Sequence, residues 1–80
     1  MGINTKEKTV KYIRHARGRM RWRKISKDEV EKTLEKPDKT ELTSEGRINA
    51  FKTIGNRYIK ITYRELSEEI LIISAVDKSD

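Results

Sequence analysis

One hairpin pattern constrains the fold of this chain more than any other feature. Two runs of alternating apolar and polar residues, 47–54 and 57–64, are separated only by Gly55 and Asn56. A two-residue connection that begins with glycine is typical of a type II′ turn, which sets the register of the strands that it joins. The turn therefore predicts which residues share each face of the sheet.

The predicted register gives the hairpin two different faces. The core face has the pairs Ile54 with Arg57, Lys52 with Ile59, Ala50 with Ile61 and Ile48 with Tyr63. The opposite face is polar, basic and partly aromatic, with Arg47, Asn49, Phe51, Thr53, Tyr58, Lys60, Thr62 and Arg64. Cationic side chains bind phosphate groups, and aromatic side chains stack on unpaired bases. This face is therefore a candidate surface for single-stranded nucleic acid.

The start of one helix is also encoded locally. Ser26 and Glu29 have the spacing of a capping box, and Ile25 and Val30 stand at the two positions of a hydrophobic staple. Pro37 ends this helix after the preceding lysine, because proline disfavours helical backbone in the residue before it.

The remaining elements follow from hydrophobic periodicity. We predict a first strand at 9–13, a helix at 15–24, and further strands at 39–43 and 70–76. The last strand is apolar on both faces and is expected at the centre of the sheet. The fold class is therefore α+β, in the order β-α-α-β-β-β-β, with two helices packed on one face of a mainly antiparallel sheet. A single domain is expected over 9–76, with mobile termini at 1–8 and 77–80.

Charge is unevenly distributed along the 80 residues. Lysine and arginine number 19 against 13 acidic residues, and residues 1–26 hold nine of the basic and one of the acidic side chains, a net charge of +8. This asymmetry favours a polyanionic partner such as nucleic acid or an acidic protein, although charge also serves solubility.

Composition excludes several kinds of site. There is no cysteine and only one histidine, so disulfides and thiol chemistry are excluded, and we expect neither a metal nor another cofactor. The chain has no long apolar run and no secretory leader pattern, which favours a cytoplasmic protein without a membrane partner.

The basic segment 15–25 holds five arginine and lysine side chains together with the only histidine and tryptophan. On a helix, Arg17, Arg21 and Lys24 fall on one side, away from Ala16 and Met20. An interior glycine costs about 1 kcal/mol relative to alanine, so Gly18 predicts either close packing or a short helix.

The motif H-A-x-x-R-M-x-x-R-x-I at 15–25 resembles the start of a family of small prokaryotic domains that look like relatives of RelE, ParE and BrnT-type toxins. The likeness covers 9–76. It implies helices on one face of the sheet and a concave basic surface on the other, which in RelE-like proteins binds ribosome-associated mRNA. ParE relatives instead inhibit DNA gyrase, and some members are known only to bind an antitoxin.

Two sets of candidate site residues follow. A ribonuclease of this kind needs no metal, since a neighbouring 2′-hydroxyl is the nucleophile and the protein supplies acid, base and charge stabilisation. The candidate catalytic residues are His15, Tyr58, Lys60 and Arg64. The candidate nucleic-acid-binding residues are Arg17, Arg19, Arg21, Arg23, Lys24, Arg47, Phe51 and Arg57.

Other interpretations remain open at this point. His15 also suits a structural role in the first turn of its helix, and Trp22 suits the core or its rim. The last strand ends at Asp77 without the terminal aromatic or histidine residue of many ribosome-dependent toxins. The leading hypothesis is an RNA-binding, RelE-like toxin with an acidic antitoxin as partner, and with mRNA cleavage as a further expectation. The alternatives are a non-catalytic nucleic-acid-binding module and an interaction domain that docks an acidic protein.

Overall fold

The computed structural model describes residues 3, 5–43 and 45–79 and has an α+β fold. In chain order its elements are β1 (Thr9–Tyr12), α1 (Arg14–Arg23), α2 (Lys27–Glu35), β2 (Lys39–Leu42), β3 (Ile48–Ile54), β4 (Arg57–Glu65) and β5 (Glu69–Asp77). The element order agrees with the sequence-based prediction, and each predicted boundary lies within one residue of the observed one.

The five strands form one mixed sheet in the order β1-β5-β4-β3-β2. Strand β1 runs parallel to β5, and the other three neighbouring pairs are antiparallel. Strand β5 lies between β1 and β4, which confirms its predicted interior position.

The predicted register of the central hairpin is confirmed. Ile54 pairs with Arg57 and Lys52 pairs with Ile59, and the pairing continues to the far end of β3. Gly55 has a φ of +63°, which is the conformation that a type II′ turn demands at its first central position.

A β-bulge changes the alternation of β5. Tyr63 of β4 pairs with Ile72, whereas the preceding Thr62 pairs with Ser74, so Ile73 is an extra residue. The bulge allows Ile72 and Ala75 to face the same core although they are three positions apart in the sequence, which in a regular strand places side chains on opposite faces. It also explains why the sequence of β5 shows no simple period of two.

Both helices pack on one face of the sheet. Ala16 and Met20 of α1 lie in the same buried cluster as Val30 and Leu34 of α2. The strands contribute inward-facing residues to this cluster, namely Ala50, Ile59, Ile61, Tyr63, Ile70, Ile72 and Ala75. The core therefore occupies the space between the helices and one side of the sheet, and the other side remains uncovered.

The start of α2 and the end of α1 are determined by different local structures. Ser26 caps α2 as predicted, because its hydroxyl accepts from the Glu29 N–H at 3.1 Å and the Glu29 carboxylate accepts from the Ser26 N–H at 2.9 Å. Helix α1 ends when Lys24 adopts a left-handed conformation with φ 57°. Of the two explanations predicted for Gly18, close packing is wrong, since no atom lies within 4 Å of the position that its Cβ would occupy. The other explanation, a short helix, agrees with the ten residues of α1.

The segment before β1 contacts α2. The Ile3 N–H donates to the Leu34 carbonyl at 2.9 Å, and the buried Thr5 hydroxyl donates to the Glu35 carboxylate. The predicted mobility of the termini also concerned Met1, Gly2, Asn4 and Asp80. Residues 44–46, between the strands predicted at 39–43 and 47–54, are typical of a turn, and this prediction included Ser44. These five residues lie outside the described part of the chain.

Candidate nucleic-acid interface

Two cations of β4 stand on the face of the sheet that the helices leave uncovered. Lys60 and Arg64 alternate with the inward-facing Ile61 and Tyr63, so their side chains leave the opposite face of the sheet. Lys60 has no ion-pair or hydrogen-bond partner among the described residues, and Arg64 donates only to the Glu45 carbonyl at 3.0 Å. Positive charge that no protein carboxylate neutralises is therefore concentrated here.

An aromatic pair lies beside these cations. The rings of Phe51 and Tyr58 are stacked, with centroids 5.7 Å apart and planes inclined by 21°. The Lys39 ammonium lies 4.7 Å from the centroid of the Phe51 ring. Phe51 is consequently only 6% exposed. It supports Tyr58 and Lys39, and little of its ring is left for a base.

Lys39 was not among the residues that sequence reasoning selected. It pairs with Phe51 across β2 and β3 and shares the uncovered face with it. The available signal was the alternation in β2. However, β2 has only four residues, and the turn signal at 44–46 does not specify a two-residue turn, so it does not set the register as Gly55 does for β3 and β4.

Arg47 stands at the margin of the uncovered face. One of its terminal nitrogens lies 3.9 Å from a carboxylate oxygen of Glu45. Its Nε is buried and forms no hydrogen bond among the described residues. The guanidinium thus has unused donor capacity at the end of the hairpin remote from Gly55.

The candidate catalytic residues lie on both sides of the sheet. His15 is an exposed residue of α1, on the helix side, where its Nε2 accepts from Arg19 Nε at 3.5 Å. Tyr58, Lys60 and Arg64 belong to the opposite face. The structure therefore does not bring the single histidine together with the three strand residues, and His15 has a local contact within α1 instead.

Tyr63 does not supply the missing base either. Its side chain is buried in the core, and burial together with the neighbouring Glu65 raises the pKa of its hydroxyl. Tyr63 stays protonated near neutral pH and points away from Lys60. Of the predicted catalytic residues, Tyr58, Lys60 and Arg64 lie on the uncovered face, which also holds the carboxylate of Glu41 opposite Asn49.

Arg57 joins the helices to the sheet instead of facing solvent. Its Nη1 donates to Glu29 at 3.2 Å and its Nε donates to Asp77 at 3.2 Å. The same guanidinium donates to the carbonyls of Arg23 at 2.8 Å and Lys24 at 3.2 Å, at the end of α1. Because the guanidinium donates to four protein partners, it has no pair of unused N–H groups with which to bind a phosphate. The geometry indicates a structural role for this candidate binding residue.

The remaining candidate cations project from α1. Arg17, Arg19, Arg21 and Lys24 are exposed, whereas Arg23 is partly buried. The Arg23 guanidinium lies 4.9 Å from the centroid of the Trp22 ring, and Trp22 itself is 71% exposed. The interpretation of Trp22 as a core residue is therefore wrong. Helix α1 presents a second basic surface, separated from the first by the sheet.

The described part of the chain holds neither a metal-binding cluster nor a membrane-spanning helix. No group of three or more histidine, cysteine or acidic side chains among them is arranged to hold a metal ion. None of their helices combines the length and apolar character needed to cross a bilayer.

Comparison with known proteins gives one family. Residues 12–77 match DUF4258, a domain of unknown function. No curated protein matches the chain. No solved structure matches it either. The matched region extends from the last residue of β1 to the last residue of β5 and includes both helices and the other four strands. The chain therefore belongs to the DUF4258 family.

Proposed function

We propose that this protein binds single-stranded RNA on the uncovered face of its sheet. The observation that carries the proposal is the position of Lys60 and Arg64 beside Tyr58. Neither cation is neutralised by a carboxylate of the described residues. Cations spaced along a strand match a phosphate backbone, and a supported aromatic ring provides a platform for one base.

The supporting contacts favour binding over an incidental surface charge. Phe51 holds the Tyr58 ring by stacking, so that little conformational freedom is lost when a base packs on it. Stacking of one base on an aromatic side chain contributes about 1–3 kcal/mol. Lys39 and Arg47 flank this part of the sheet, but each is paired with a glutamate, Lys39 with Glu41 at 3.4 Å and Arg47 with Glu45 at 3.9 Å. The charge that supports the proposal is therefore that of Lys60 and Arg64.

The arrangement of two helices on one face and a basic opposite face is also what the resemblance to RelE and ParE-like toxins implies. We accordingly place the protein, as a proposal, among RelE-like toxin-family proteins whose target is RNA or ribosome-bound mRNA. Binding is better supported than cleavage, because His15 is on the far side of the sheet from Lys60. In this proposal an endoribonuclease step would depend on Tyr58, Lys60 and Arg64.

A second proposal concerns the protein partner. Exposed Trp22 and the basic residues around it give α1 an apolar anchor surrounded by positive charge. Aromatic anchors with a charged rim are typical of protein interfaces. We propose α1 as the docking site of an acidic partner of the antitoxin kind, which would leave the sheet face to RNA.

A salt titration tests the RNA proposal. Fluorescence anisotropy with a labelled single-stranded RNA bearing 5′-hydroxyl ends measures affinity as a function of salt concentration. If about five phosphates are neutralised, log K falls with log salt at a slope of about −3 to −4. A slope near zero, or no binding at low salt, contradicts the proposal. Incubation of the same RNA with the protein, followed by gel analysis, separates binding from cleavage.

A further inference from the structure

A cavity of about 300 Å³ lies on the helix side of the molecule. Its lining residues come from the end of β1, from α1 and from the first turn of α2, and they are Tyr12, Arg17, Met20, Arg21 and Lys27. Three of the five carry positive charge. This cavity is remote from the uncovered sheet face, because Tyr12 and Met20 pack against the core on the other side of the sheet.

The three cationic side chains that line the cavity form no ion pairs with the described residues. The side chains of Arg17 and Arg21 have no ion-pair or hydrogen-bond partner among the described residues. The Lys27 ammonium lies 5.6 Å from the centroid of the Tyr12 ring and forms no ion pair with a carboxylate of the described residues. Three like charges around one cavity repel each other, so the arrangement is favourable mainly when an anion lies between them.

Tyr12 adds a donor that lacks an acceptor. Its hydroxyl is buried and forms no hydrogen bond among the described residues. A buried polar group without a partner is costly and calls for an explanation such as a bound ion or water. Burial and the nearby Glu31 raise the pKa of this hydroxyl, so it stays protonated and able to donate. Solvent does not reach the hydroxyl in this structure, so contact with an anion would require the long side chains around the cavity to move aside.

The charges of the site select among anions. The three lining cations contribute +3, and Glu31, which acts on Tyr12, contributes −1. The remaining +2 matches a phosphate monoester, which carries close to two negative charges near neutral pH. An internal phosphodiester of RNA carries only one negative charge per phosphate, and so it matches less well.

We propose that Tyr12, Arg17, Arg21 and Lys27 form a binding site for the terminal phosphate of a small phosphorylated compound. Arginine forks and a lysine surround the phosphate oxygens, and the Tyr12 hydroxyl donates to one of them. The site is independent of RNA binding on the sheet face, because it shares no residue with that face.

Amide chemical-shift titration by NMR tests the site, with sodium phosphate as the probe and sodium chloride added to keep the ionic strength constant. We expect saturable shifts centred on the residues that line the cavity. A nucleoside 5′-monophosphate should bind at the same place, whereas a dinucleoside with one internal phosphodiester should bind more weakly. Equal affinity for the monoester and the diester would overturn the assignment to a terminal phosphate.

Two double variants with the same change in charge distinguish specific phosphate binding in the cavity from non-specific electrostatic attraction to α1. Arg17→Gln with Arg21→Gln should weaken phosphate binding about tenfold or more, since it removes two sources of charged hydrogen bonds to the phosphate oxygens. Arg14→Gln with Arg19→Gln removes the same charge from the same helix outside the cavity, and the affinity should stay within about twofold. Equal losses in both double variants would show a diffuse field and overturn the proposal.

Tyr12→Phe provides a readout that a structural role would not give. Because the hydroxyl has no partner, its removal should leave thermal stability without phosphate unchanged or raised. The same variant should reduce the phosphate affinity several-fold and the stabilisation by added phosphate with it. Unchanged phosphate binding in folded Tyr12→Phe would contradict the proposed donor. Lys60→Ala with Arg64→Ala should leave phosphate binding intact even if RNA binding is lost.

Discussion

The guanidinium of Arg57 lies 3.2 Å from the carboxylate of Glu29, and this contact connects the start of β4 to the first turn of α2. The same group also bonds Asp77 and two carbonyls at the end of α1. A single side chain thus joins both helices to the sheet.

Arg57→Ala should therefore destabilise the fold by about 2–3 kcal/mol, since it leaves partly buried acceptors without a donor. Arg57→Lys should recover less than half of this loss, because an ammonium cannot reproduce the planar fork of a guanidinium. Urea denaturation checks both values. As a control, Arg64→Ala removes an exposed arginine with one carbonyl partner and should cost less than about 1 kcal/mol. An Arg57→Ala variant as stable as the parent protein would contradict the structural role.

Gly18 offers a stabilising substitution. It occupies the interior of α1, its φ is negative, and no atom lies within 4 Å of its Cβ position. Gly18→Ala should raise the free energy of unfolding by about 0.5–1 kcal/mol, because alanine has the higher helix propensity and orders at a lower entropic cost. Gly46 is the control, since its φ of +76° makes alanine unfavourable there. Destabilisation by Gly18→Ala would reveal a close neighbour that this structure does not have.

The Ser26 cap gives a further measurable contribution. Ser26→Ala removes the acceptor for the Glu29 N–H, and the expected cost is about 0.5–2 kcal/mol. Ser26→Asn keeps an acceptor and should restore most of the stability. The midpoint of chemical denaturation measures both variants. An unchanged midpoint in Ser26→Ala would count against the capping box as a determinant of where α2 begins.

Asp77 should make the stability of the fold depend on pH in the acid range. The Ser79 hydroxyl, the Ser79 N–H and the Arg57 guanidinium together lower the pKa of Asp77 from its usual 3.8 to about 2. A carboxyl whose pKa is lowered by folding stabilises the protein above its unfolded pKa, and the effect is lost as pH falls towards the folded pKa. The contribution of Asp77 is therefore complete above about pH 4 and disappears towards pH 2.

Asp77→Asn should consequently be less stable than the parent protein near neutral pH, and the difference should shrink between about pH 4 and pH 2. Melting temperatures across this range measure the effect. Asp28→Asn serves as the control, since Asp28 has only an exposed pairing with Lys32. A constant difference between the parent protein and Asp77→Asn across the acid range would contradict the depressed pKa.

Local patterns predicted much of the fold correctly. The Gly55 turn determined the β3–β4 register, and the Ser26 box determined the start of α2, because each depends on residues close together in sequence. The bulge at Ile73 was not predictable in the same way. It depends on how β5 packs against β4 and the helices, which no local residue pattern encodes.

The candidate site was predicted less completely, for a related reason. Sequence placed Lys60 and Arg64 on the uncovered face through strand alternation alone. It could not show that Phe51 is covered by Tyr58 and Lys39, or that Arg57 closes the end of α1. These contacts are made by long side chains that extend from one helix or strand to another. Neither hydrophobic periodicity nor residue spacing predicts which groups such side chains contact.

The central claim is that RNA binds to the uncovered sheet face and not to α1. The decisive measurement is the affinity for single-stranded RNA with 5′-hydroxyl ends in two double variants that lose the same charge. Lys60→Ala with Arg64→Ala should abolish measurable binding while the melting temperature stays near that of the parent protein. Arg17→Ala with Arg21→Ala should only weaken binding and flatten its salt dependence. The reverse ranking, in which the helix pair abolishes binding and the strand pair leaves it intact, would contradict the account.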